Sequence, residues 1–226
     1  MGSSGKIDIY CERVDPSFWA EPLNAITNLA FIIAALIAWR AAAGRRNALT
    51  TVLILILVAI GIGSFLFHTV AESWAGAADT IPILLFILVY IYAATYRFFG
   101  APLWAAIAAP FIFIGFAIGF AMAWGALLPS LNGSQGYFPV IIILIGYGLA
   151  LRAHPASGGL LLAAGLFALS LTFRTIDYAV CDVLPMGTHF LWHVLNGTLL
   201  GIVLITFIRH GARRVQGRLA QDRAGG

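Results

Sequence analysis

Two histidines four residues apart, His189 and His193, stand in the last long apolar stretch of the chain. On a helix that spacing puts both imidazoles on one face. A third histidine, His68, follows Ser64 at the same spacing in an earlier apolar stretch, and Asp79 lies near the start of the next. Three imidazoles that leave a fourth position open for water are the ligand set of a catalytic zinc ion.

The elements that must position these groups follow from composition. The 226-residue chain is 61% hydrophobic and only 10% charged, whereas soluble domains carry about 25% charged residues. Seven apolar blocks stand out: Pro22–Ala43, Leu49–Val70, Ala77–Phe98, Pro102–Trp124, Phe138–Leu151, Gly158–Val180 and Met186–Ile208. As helices, blocks of ~20 residues cross ~30 Å of hydrocarbon. The fifth is short and gains length from Gly136 and Tyr137 or from Arg152, whose stem can snorkel. The predicted fold is therefore all-α: an integral membrane bundle of seven transmembrane helices over 22–209. A polar segment, 1–21, precedes it and a basic tail, 210–226, follows. The polar start does not read as a signal peptide, which opens basic and turns apolar early.

The net charge of +4 forms no basic stripe interleaved with aromatics, which argues against a nucleic-acid partner. The basic residues mark topology instead. Arg45, Arg46, Arg97, Arg152, Arg209, Arg213, Arg214 and Arg218 all fall at the ends opposite the N-terminus. The positive-inside rule then puts the N-terminus outside and the C-terminus in the cytoplasm. In that orientation Ser64, His68, Asp79, His189 and His193 share one depth near the outer face, while His154 and His210 sit at the inner ends with no assigned role. Cys11 and Cys181 share the outer side, where they could be oxidised.

Each feature also has a plainer reading. A lone intramembrane histidine often bonds a neighbouring helix, and a serine there often serves close packing. Asp79 could cap its helix. Arg174 and Asp177, three apart, read as a local ion pair. Trp19, Trp74, Trp124 and Trp192 read as an interfacial aromatic belt. Asp8, Glu12, Asp15 and Glu21 crowd the N-terminal segment; without the spacing of a calcium-binding loop they read first as a solvated acidic strand. The gathering of three histidines and a carboxylate at one depth is what favours a metal site.

The ordered set Ser64-x-x-x-His68, Asp79 and His189-x-x-x-His193 resembles the alkaline ceramidase family. That family belongs to a superfamily of seven-helix membrane hydrolases that includes adiponectin and progestin-type receptors. Tyr10-Cys11-Glu12, Glu21-x-x-Asn24 with Asn28, and Phe173-Arg174-x-Ile176-Asp177-x-x-x-Cys181 extend the resemblance over most of the chain. The resemblance implies zinc on His68, His189 and His193, catalytic roles for Asp79 and Ser64, and a Cys11–Cys181 disulfide. It also implies calcium held by the N-terminal segment, through Glu12 and Glu21, the Tyr10 carbonyl, and less directly Asp8 and Asp15.

The implied reaction is hydrolysis of the N-acyl bond of ceramide or a related lipid, drawn from the bilayer, to a sphingoid base or other amine and a fatty acid. Compact loops and lean charge suggest a multi-pass protein of a bacterial inner membrane with its site near the periplasmic face. The competing function is a lipid or hormone receptor of the same superfamily that does not turn over substrate. A transporter would show helices broken at mid-membrane or internal repeats, and neither is legible.

Overall fold

The structure is a computed structural model that describes residues 6–211. Among these residues it is all-helical, with no strand. Eight helices are present: α1 (Pro22–Thr27), α2 (Leu29–Ala41), α3 (Ala48–Val70), α4 (Ser73–Arg97), α5 (Leu103–Leu127), α6 (Phe138–Ala150), α7 (Ser157–Ile176) and α8 (His189–His210). α1 and α2 together form one span, Pro22–Ala41, interrupted by a single turn at Asn28. Six spans are therefore long and apolar enough to cross a membrane, and Ser134–Ala150, made of a 3-10 turn and α6, is a shorter apolar seventh. The basic residues beyond Gly211 lie outside the described residues.

The helices follow one another around a ring, each packed on its neighbours in sequence, and α8 closes the ring against α2. α3 also touches α8 across the bundle. Large side chains of α5 point away from the protein, with Phe111, Ile112 and Met122 each about 70% exposed (69, 70 and 72%). A face so apolar suits hydrocarbon, which needs no polar cover once the backbone is paired within the helix. The inner faces instead bury Leu53, Leu57, Ile60, Phe86, Tyr90, Leu160 and Leu204 in one core.

Helix ends are fixed by identifiable groups. The Asn47 side chain accepts from the Thr50 N–H and caps α3, a favourable N-cap for asparagine. Glu12, from the N-terminal segment, accepts from the Leu23 and Asn24 N–H groups at 2.7 and 2.8 Å and so caps α1. α3 and α4 join through Ala71 and Glu72 alone, and Lys6 clips that joint by donating to the Val70 carbonyl and to Glu72.

Four sequence expectations are corrected here. α4 starts at Ser73 rather than Ala77, so Asp79 lies in its second turn and does not cap it. α7 stops at Ile176, and α8 starts only at His189. Arg174 and Asp177 are no ion pair. Arg174 donates to the Asn132 carbonyl and to Ser134 Oγ, while Asp177 accepts from the N–H groups of Cys11, Thr188 and His189. The chain turns at Asp177, so its carboxylate meets unpaired backbone donors rather than a helix neighbour. Trp192 also leaves the expected belt, being buried beside Tyr137 and Phe167.

Candidate metal centre

His68 comes from the last turn of α3, and His189 and His193 come from the first two turns of α8. All three are 1% exposed. Each offers a ring nitrogen within 4.8 Å of those of the other two. Among the described residues no other three histidine, cysteine or acidic side chains gather this closely.

The hydrogen bonds around the rings decide which nitrogens are free. His68 Nδ1 lies 2.5 Å from Glu21 Oε2. A carboxylate only accepts, so Nδ1 carries the proton and Nε2 keeps its lone pair. His193 Nδ1 lies 3.0 Å from Thr27 Oγ1. The Thr27 hydroxyl already donates to the carbonyls of Leu23 and Asn24, so it accepts from His193, and Nε2 is again the free nitrogen. His189 Nδ1 is buried with no protein partner. Metal-binding histidines almost always spend one nitrogen on such an outer bond and offer the other to the ion. Two oriented lone pairs and a buried orphan nitrogen are a donor set that fits zinc.

Backbone contacts hold α8 in register for this. Asp177 Oδ1 receives the N–H groups of both Thr188 and His189 at 2.6 and 2.9 Å, and Oδ2 receives that of Cys11 at 2.9 Å. A carboxylate at the first N–H groups of a helix also suits its dipole. Cys11 and Cys181 are joined by a disulfide, with Cα atoms 5.4 Å apart. The N-terminal segment is thereby tied over the site, and the Tyr10 ring stacks on His189 at 3.5 Å between centroids. Burial pushes the Tyr10 phenol well above its usual pKa, so it stays neutral.

Ser64 and Asp79 meet beside the histidines. Gly63 packs so tightly on the Ala78 backbone that a β-carbon there would collide with the Ala78 carbonyl. The next residues along, Ser64 and Asp79, are brought together at this contact between α3 and α4. Asp79 is half-buried and stands outside the group of close ligand atoms.

The profile of the ceramidase family matches residues 4–221. The chain belongs to the ceramidase family. No individually curated protein matches it. Membership in the ceramidase family supports a hydrolase that acts on amides, and the apolar helices fit a multi-pass protein that acts on lipids.

The acidic residues expected to hold calcium are either exposed or engaged by protein groups. Asp8 and Asp15 are exposed, and Asp15 accepts from the Ser17 N–H. Glu12 spends both oxygens on the start of α1; burial raises its pKa against the lowering effect of those two donors. Glu21 is buried and bonds Arg13, His68 and Asn24. Burial acts to raise the Glu21 pKa, but His68, Arg13 and Asn24 together hold it below the usual value. Residue types alone gave no sign that Glu21 and Thr27 orient two histidines, or that Arg13 joins them. The Glu21–His68, Thr27–His193 and Arg13–His68 contacts each join segments far apart in the chain.

Proposed function

We propose that this ceramidase-family chain is a zinc-dependent intramembrane amidase that cleaves the N-acyl bond of ceramide or a related lipid. The reading is carried by one observation: three buried histidines with ring nitrogens within 4.8 Å of one another, beside a serine–aspartate pair. Below them lies an apolar cavity lined by Phe31, Ile60, Phe86, Trp192 and Leu199 among others. Phe31 links the two, its ring 6.4 Å from that of His193. An acyl chain lying in this cavity would bring its amide up to the histidines.

His68, His189 and His193 would hold the zinc. When bound, zinc supplies Lewis acidity and makes a water nucleophilic at neutral pH. Asp79 would accept the proton that the attacking water gives up and pass it to the amine as the C–N bond breaks. Ser64 would offer its hydroxyl to the carbonyl oxygen as negative charge develops there, a contribution of ~3 kcal/mol in comparable sites. Fatty acid and free amine are the products. Tyr10 and the tethered N-terminal segment cover His189 and limit access of bulk water.

The same reading places the N-terminal side outside, because Arg45, Arg46, Arg97, Arg152 and Arg209 lie at the other end of the helices. A periplasmic-facing site in a bacterial inner membrane would follow. The experiment is metal analysis of the purified protein joined to a fatty-acid release assay on N-acyl lipids. A superfamily receptor would hold zinc without turnover.

A further inference from the structure

Arg13 is 5% exposed, although it belongs to the polar N-terminal segment. Its guanidinium faces three oxygens. Nε lies 2.5 Å from Glu21 Oε1, Nη2 lies 3.0 Å from the backbone carbonyl of His68, and Nη1 lies 3.4 Å from that of Asp15. The His68 carbonyl is one of those left unpaired at the end of α3, where positive charge is favoured. The other Glu21 oxygen holds His68 Nδ1 at 2.5 Å. Arg13 therefore grips the metal-site histidine twice, by its backbone and through Glu21 by its ring.

A carboxylate and carbonyls are the oxygen donors that a hard divalent cation takes. Here a guanidinium, a fixed positive charge, lies among them and meets each oxygen with a different nitrogen. A calcium ion on Glu21 would have to share its carboxylate with Arg13, and like charges at such distance oppose each other. The other acidic residues of the segment do not complete a cage: Glu12 caps α1 and Asp8 and Asp15 face out. The residues present do not fit calcium.

We infer that Arg13 is the resident cation of this site, standing where the family resemblance implies calcium and holding Glu21 and His68 in place without it. Arg13 is thus a positioning residue for the candidate metal centre. Its removal would leave an oxygen-lined gap beside an uncompensated buried carboxylate, a costly arrangement that calcium could then relieve.

The test uses the full chain in mild detergent, equilibrated with millimolar CaCl2 or MgCl2 and desalted. For the unaltered protein we expect no retained calcium by elemental analysis and the same melting temperature with either salt. Arg13→Ala should melt ~10 °C lower, and CaCl2 but not MgCl2 should restore much of the loss. Arg13→Lys, which keeps a cation, should stay indifferent to calcium even if Arg13→Ala cannot be purified. Calcium bound to or stabilising the unaltered protein would overturn the inference, as would a calcium-dependent Arg13→Lys. An Arg13→Ala that melts normally, or that melts low with no response to calcium, would reduce Arg13 to an ordinary structural contact. None of these readouts uses turnover, so failure of the amidase reading would leave them interpretable.

Discussion

Gly63 on α3 and Ala78 on α4 touch backbone to backbone, with no room for a side chain at position 63. That contact sets the distance between the neighbours Ser64 and Asp79, and so links packing of the two helices to the proposed proton transfer. Gly63→Val should force α3 and α4 apart. Because His68 is held separately by Glu21, zinc content should survive while fatty-acid release falls about 100-fold, the usual scale for a small misplacement. Metal analysis and turnover on the same preparation check this; unchanged turnover would dissociate the helix contact from catalysis.

Thr27 orients His193 by accepting its Nδ1–H. Thr27→Val keeps the shape and removes the acceptor. Outer-shell losses of this kind weaken metal binding about 10–100-fold, measurable as earlier zinc loss in a chelator titration. An unchanged titration would mean that the His193 ring is held by packing alone.

The seven apolar blocks and the histidine set were legible because both depend on residue type and spacing. Hydrocarbon demands long apolar runs, and the 3.6-residue helix period puts His189 and His193 on one face. What orients the histidines was not legible. Glu21 and Thr27 reach His68 and His193 across 47 and 166 positions of sequence, and neither has a local pattern. Asp177 misled for a different reason. Its spacing from Arg174 suits a helix pair, but the helix ends one residue earlier and the free N–H groups of α8 claim the carboxylate.

The Cys11–Cys181 disulfide spans 170 positions and ties the segment bearing Arg13 and Tyr10 to the α7–α8 turn. Thiol labelling of denatured, unreduced protein should find no free cysteine. Cross-links closing so long a loop are worth ~4–5 kcal/mol on the chain-entropy model, less here because membrane helices already restrict the unfolded chain. Cys11→Ser should therefore lower the melting temperature by several degrees. Two reactive thiols in the unaltered protein would remove the tether.

Orientation rests on the arginines at the ends opposite the N-terminus. A reporter fused after Arg214 should read cytoplasmic and one at the N-terminus external. The reverse pattern would move the candidate metal centre to the inner face.

Zinc content and lipid-amide turnover, measured together on one preparation, test the central claim most directly. The unaltered protein should carry about one zinc per chain and release fatty acid from N-acyl lipids, ceramides among them. His193→Ala should lose both, since two histidines and water hold zinc poorly. Asp79→Asn should keep the metal and lose turnover about 100-fold or more, because it retains the shape without the base. Zinc at full occupancy with no turnover on a broad panel would contradict the amidase and favour a receptor. Folded protein that neither contains nor takes up zinc would contradict the metal centre itself.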